Sequence, residues 1–377
     1  MRKHPTSLLA AVVGLSLILA ACGGNSPSPS ASAQSMAPES MAPESQAESM
    51  APSAAPVDYL VCMVSDTGGF DDNSFNQSGL EGLQRAVTEL GVQEEHLQSD
   101  KQEDYDRNIN QCISDGSDMI ITVGFLLGDA TQAAAEANPD TRFAIVDYAY
   151  DPAIPNVEGL VYATAEAAML AGYASSSWTK TKKMGEFGGI NIGPGVTDFM
   201  DGFIAGMNYW NEQKGDTVSM LGGRDPNDPN SGTFTGDFES TDNAKNVTIG
   251  FLQEGADVVL PVGGPIGGGT FAAIEEQGAD AVGLGVDADW YLTTPQYDPL
   301  ILTSVMKRID NSVFQAVQRA VNGEDPQPTV LSNLENGGVG LAPFHDYDSQ
   351  ISQATKDELD TLSQAIINGE ISPSDYY

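Results

Sequence analysis

From Asp66 to Gln77 the chain reads Asp-Thr-Gly-Gly-Phe-Asp-Asp-Asn-Ser-Phe-Asn-Gln. Carboxylates and amides at this density accept hydrogen bonds from hydroxyl and amine groups, and a phenylalanine beside them offers a face to a flat ring. The glycines permit a tight turn with the backbone close to a ligand, while Asp72 or Ser74 can cap a following helix. Phosphate suits the turn poorly, because no Gly-Lys-Ser/Thr follows the glycines and acidic side chains crowd the place a phosphate would take. Further carboxylates, Asp147, Asp287 and Asp289, close later apolar runs, and Met306-Lys307-Arg308 closes another. Each single carboxylate has a plain alternative use in helix capping and loop solvation. The histidines, His4, His96 and His345, are far apart in sequence. No HExxH, CxxC pair or Gly-x-Ser-x-Gly elbow accompanies them. The reading is therefore of a binding protein, with no catalytic residues, no metal and no cofactor.

These side chains need a framework, and the apolar pattern supplies it. Tyr59–Val64, Met119–Val123, Phe143–Val146, Gly159–Tyr162, Val258–Val262, Ala281–Val286 and Ile301–Val305 are short apolar runs of the kind that form buried strands. Between them Leu80, Leu83, Val87 and Leu90 recur at helical spacing, and residues 165–178 and 199–210 show helical patterns. Alternation of this kind predicts an α/β fold with parallel sheets covered by helices on both faces. Ligands in such sheets bind outside the carboxyl ends of the strands, where the carboxylates fall.

Toward the N-terminus, Arg2, Lys3 and His4 precede an apolar run from Leu8 to Ala21. The run is short for a bilayer span and has the flanks of a signal peptide. It ends in Leu-Ala-Ala-Cys at Cys22, which resembles a bacterial lipobox. The expectation is a signal peptide over 1–21, lipidation of Cys22 and a disordered tether over 22–56, whose Ser, Ala, Pro, Met, Glu and Gln cannot build a core. About 320 residues then remain, enough for two lobes. A net charge of −37 argues against nucleic acid as a partner and against free nucleotides as ligands. Cys62 and Cys112 read as buried free thiols, with a disulfide as the alternative.

The run Asp66-x-Gly-Gly-x-Asp-Asp-x-Ser-Phe-Asn-Gln closely resembles the opening motif of the basic membrane protein family, which includes the purine nucleoside receptor lipoproteins. Supporting matches are Phe199-x-x-Gly-Phe-x-x-Gly, Gly263-Gly264, Gly285-Val286-Asp287-Ala288-Asp289, Leu302 to Lys307 and Gly337 to Leu341. The resemblance covers about residues 58–344. It implies a type I periplasmic-binding-protein fold: two α/β lobes with three hinge crossings and the ligand between them. On this pattern residues 57–164 with about 296–325 make the N-terminal lobe, and 165–295 with about 326–377 the C-terminal lobe.

Carried over by position, Phe75 and Phe203 stack on a nucleobase, with Phe199 a competing candidate one turn away. Asp66 and Asn76, with Asp72 nearby, bond its edges. Asp147, Asp287, Lys307 and the Gly264 backbone serve the ribose, Lys307 having a second reading as the counterion of a buried carboxylate. The extra proline and glycine of residues 261–269 depart from the expected turn and put the Gly264 contact in doubt, and residues 224–243 read as a long surface loop rimming the cleft. The function implied is capture of a nucleoside, purine favoured, by a monomeric lipoprotein on the extracytoplasmic face, for delivery to an ABC importer. Its only membrane contact is the lipid anchor. The competing readings are a receptor for a simple sugar or other polar metabolite, and a surface signalling or adhesion lipoprotein.

Overall fold

The computed structural model describes residues 54–377. The signal peptide, Cys22 and the tether as far as residue 53 lie outside the described residues. The last tether positions are structured, however: the Ala54 N–H donates to Thr88 O at 3.0 Å and the Val57 N–H to Gly91 O at 2.9 Å. The globular part thus begins a few residues earlier than its apolar pattern does. No helix among the described residues is long and apolar enough to cross a membrane.

The elements run β1 (Leu60–Ser65), α1 (Phe75–Leu90), β2 (Gln93–Leu97), α2 (Tyr105–Ser114), β3 (Met119–Val123), α3 (Gly128–Ala137), β4 (Arg142–Val146), β5 (Val157–Tyr162) and α4 (Thr164–Trp178). They continue with β6 (Lys183–Gly188), α5 (Pro194–Lys214), β7 (Ser219–Leu221), α6 (Thr241–Gln253), β8 (Val258–Val262), α7 (Gly267–Gln277) and β9 (Val282–Asp287). Last come α8 (Trp290–Thr293), β10 (Ile301–Lys307), α9 (Ile309–Val321), β11 (Thr329–Ser332), β12 (Val339–Leu341) and α10 (Gln353–Ile367). They build two six-stranded sheets of matching order, β11-β5-β4-β3-β1-β2 and β12-β10-β9-β8-β6-β7. All pairings are parallel except that of β10 with β12.

Covered on both faces, the central strands read as unbroken apolar runs. Every residue of β3, β8 and β9 is buried. The outer strand β2, Gln-Glu-Glu-His-Leu, carries the charge that blunts an exposed edge. Pro261 lies in β8 opposite Phe187 of β6, beyond Val258 and Val259 where β8 pairs with β9.

The chain passes between the lobes after β5, after β10 and after β11. Strand β10 lies in the second sheet beside β9, and β11 joins the first beside β5. This corrects the expected boundaries. Within 296–325 only α9 returns to the first lobe, packing on α1, and the stretch after 325 contributes one strand to the first lobe. A buried strand such as β10 carries no mark of which sheet it will join.

A second correction concerns the cysteines. Cys62 on β1 and Cys112 on α2 are joined as a disulfide, with Cα atoms 5.8 Å apart and 50 residues between them in sequence. Closing a loop of that length stabilises by about 2–4 kcal/mol. Reduction, or the Cys62→Ala/Cys112→Ala double substitution, is therefore expected to lower the melting temperature by several degrees. Calorimetry with and without reductant checks this, and an identical transition in both would contradict it.

Candidate functional site

The turn after β1 is organised by Asp72. Its Oδ1 accepts from the Ser74 and Gln77 N–H groups, both at 3.0 Å, and its Oδ2 from the Asn76 N–H at 2.8 Å. Asp72, not Ser74, thus caps α1, and Phe75 becomes the first helical residue. The Asn76 Nδ2 donates to Asp66 Oδ1 at 2.8 Å and to Asp72 Oδ2 at 3.3 Å. With two acceptors on that side, the amide can face them only with its nitrogen. Burial pushes the Asp66 carboxyl up to about 6, against the bonds from Asn76 and Gly68. It raises Asp72 as well, in spite of four hydrogen bonds that favour the anion.

Three strand ends meet this turn. Asp147 follows β4 and Asp287 ends β9, with φ angles of 61° and 67°. The left-handed turn swings each carboxylate back over its strand end, and aspartate tolerates it better than most residues. Lys307 ends β10 and is 2% exposed. Its Nζ donates to Asp147 Oδ2 at 2.7 Å and to Gly195 O at 3.2 Å, and lies 3.8 Å from Asp287 Oδ1. One ammonium therefore bridges a carboxylate from each lobe. Burial alone would lower the lysine pKa, but Asp147 and Asp287 outweigh it and Lys307 stays charged. Asp287, with the poorer share of that ammonium, is pushed by burial up to about 7.

A cleft lies between the lobes, with about 520 Å³ of space when the open solvent at its mouth is included. Asp66, Asp72, Phe75, Asn76, Asp147, Gly264, Asp287 and Lys307 all line it. Gly264 has φ 57°, and a Cβ there would point at Asp72 Oδ2, 3.7 Å away. The extra proline and glycine of this turn thus leave Gly264 at the cleft.

Phe203 does not line the cleft. It is wholly buried in the core, on the stripe of α5 that meets α4. A Cβ built at Gly206 would stand 2.0 Å from Met169 O, and one at Gly172 2.0 Å from Phe203 O. The glycines of Phe199-x-x-Gly-Phe-x-x-Gly are there for the close approach of two helices, and Phe203 belongs to that contact. The second-lobe aromatics at the cleft are Phe199 and Phe238. Phe199 is 1% exposed, and Lys307 Nζ stands 4.8 Å from its ring centre and 5.6 Å from that of Phe75, so burial is what sets Phe199 apart. Phe238 is only half-buried and comes from the loop ahead of α6. That loop is tied to the end of β6 through Thr233, Thr235 and Gly236. The signal in the sequence is an aromatic in a Gly- and Asp-rich loop, and Phe234 of the same loop carries it as well.

A profile of the family described as ABC transporter substrate-binding protein PnrA-like matches residues 59–375. The ABC transporter nucleoside-binding protein BmpA of Lactococcus lactis is 30% identical, over 83% of this chain and 88% of its own length. An uncharacterized lipoprotein of Pyrococcus abyssi is 30% identical over 74% of this chain and 68% of its own. An ABC transporter solute-binding protein from Aeropyrum pernix K1 has a crystal structure that matches with a TM-score of 0.73 and 26% identity, covering 83% of this chain and 92% of that one. The chain belongs to the family of PnrA-like ABC transporter substrate-binding proteins. It is a receptor that binds a ligand and delivers it to a transporter, not an enzyme.

Removing the Lys307 ammonium would strand buried carboxylates. Lys307→Met is expected to destabilise by about 3–5 kcal/mol at pH 8. The loss should shrink toward pH 5, where Asp287 can be neutral. Chemical denaturation at the two pH values tests this, and an equal loss at both would count against it.

Proposed function

We propose that this family member captures a nucleoside, purine favoured, with the base between Phe75 and Phe238 and the ribose against Asp147, Asp287, Lys307 and the Gly264 backbone. The observation that carries the reading is a single cleft that sets half-buried phenylalanines of both lobes, Phe75 and Phe125 from the first and Phe238 from the second, among hydrogen-bonding carboxylates. Phe75 starts α1 in the first lobe and Phe238 belongs to the second, so a base stacked on both draws the lobes together. Asp66 and Asn76 stand beside Phe75 for the edge of the base. The carboxylates suit ribose hydroxyls, and an excess of them over one ammonium disfavours phosphate. The relative named nucleoside-binding agrees with this choice of ligand. The apolar run ending at Cys22, and the relative named a lipoprotein, support an anchor on the extracytoplasmic face and delivery to a membrane importer.

Calorimetry against guanosine, inosine, adenosine, cytidine and free ribose tests the assignment. Nucleosides should bind, and ribose binding with every nucleoside silent would overturn it. Phe75→Ala and Phe238→Ala should each weaken binding about tenfold or more, with little change in melting temperature. Phe203→Ala should instead cost about 3–5 kcal/mol of stability.

A ribose hydroxyl donates more strongly to the ionised Asp287 carboxylate than to the protonated one. Since burial pushes that group up to about 7 in the free protein, its charged fraction falls as pH drops through 7. Affinity should therefore fall, by no more than about tenfold, from pH 8 to pH 6. Asp287→Asn should flatten that dependence, and an unaltered slope would exclude Asp287 as its source.

A further inference from the structure

Ser74 sits between the capping carboxylate Asp72 and the cleft residue Phe75, yet it neither caps the helix nor lines the cleft. It is fully buried, and its Oγ crosses to the other lobe. It lies 2.8 Å from Val286 O and 3.1 Å from Asp287 Oδ2. Because Asp72 already satisfies the helix N-terminus, the Ser74 hydroxyl is left over for this contact. One residue earlier, Asn73 O accepts from Thr293 Oγ1 of α8 at 2.8 Å. Two consecutive residues of the first lobe are thus gripped by β9 and α8 of the second.

The two acceptors of Ser74 are unequal. Val286 O also receives the Ala288 N–H at 2.8 Å and the Trp290 Nε1–H at 3.0 Å, so it keeps partners without the serine. Asp287 does not. Among the described residues Ser74 is its one side-chain hydrogen-bond partner, Oδ1 having none, and Lys307 stands 3.8 Å off. The serine therefore aims the Asp287 carboxylate.

We propose that residues 73 and 74 form an interlobe clasp in which the Ser74 hydroxyl positions Asp287 and, with Thr293 at the rim, holds the lobes closed over the ligand. Ser74 and Thr293 are positioning residues that make no ligand contact. A clasp formed only on closure slows release and leaves capture alone. The inference rests on the interlobe capture of a nucleoside proposed above.

The test is stopped-flow measurement of nucleoside association and release on the full chain. At pH 8, where Asp287 is ionised, Ser74→Ala should release ligand about tenfold faster, with association unchanged within about twofold, as expected for loss of one buried hydrogen bond to a charged group. Thr293→Val should release about threefold faster and Thr293→Ser, which keeps the hydroxyl, at the wild-type rate. Unchanged release in Ser74→Ala, or equal impairment in the two Thr293 variants, overturns the clasp. If Ser74→Ala does not fold, the Thr293 pair decides. If the wild-type protein binds no nucleoside, the ligand assignment fails by itself. The clasp is then read by the same measurement with free ribose, the ligand of the competing reading: faster release in Ser74→Ala than in wild type supports it, and an equal rate overturns it.

Discussion

A buried ammonium shared between two lobes is the constraint on which the rest of the site depends. Lys307 is all but inaccessible to solvent, and a charge in that position is tolerable only when carboxylates converge on it. Asp147 reaches it from the first sheet and Asp287 from the second. The ends of β4, β9 and β10 must therefore meet at one point, although β4 belongs to a different sheet. The left-handed backbone at both aspartates, a strain of about 1–3 kcal/mol each, is the local cost of aiming them there. Lys307 is also the last residue before the chain crosses to α9, so the ion pair sits at a hinge strand.

The two lobes repeat one plan. Their sheets share the same strand order, and Asp147 and Asp287 occupy the same place at the end of the fourth strand of each. A ligand touching both binds each lobe through equivalent chemistry, which couples binding to closure. The charge balance narrows what that ligand can be. Asp66, Asp72, Asp147 and Asp287 outnumber Lys307 within the cleft, in a chain already at −37. Hydroxyls and amines gain from such a lining, while phosphate would be repelled. The same surplus explains why burial raises Asp66 and Asp287: there is one ammonium to share among several carboxylates, and desolvation acts on all of them.

The lipobox-like Cys22 and the Cys62–Cys112 disulfide agree on compartment. Disulfides persist in oxidising surroundings, and the bridge ties the first strand of the first lobe to the helix behind it. The strand whose end carries Asp66 is thereby held from its far face. A lobe stiffened in this way suits a receptor that holds its cargo between two lobes.

How much of this was legible in the sequence follows from the range of each interaction. The turn from Asp66 to Gln77, the buried runs of β1, β3 and β8, and the strand-end carboxylates are local, and chain order displays them directly. Alternation of strands and helices was enough for the fold class, and eight of the nine anticipated ligand positions share one cleft for the same reason. Phe203 failed because its glycine neighbours serve helix packing, and a motif does not say which face of a helix turns inward. Phe238 was missed because only the folding of its loop onto β6 brings it to the cleft. The sheet membership of β10 and β11, the disulfide and the reach of Ser74 to Asp287 all join residues far apart in the chain. Sequence by itself determined the fold class, the acidic character of the site and its place after the strands. Tertiary structure alone decided which aromatics line the cleft and which lobe each hinge strand serves, since those outcomes depend on pairings that the order of residues does not record.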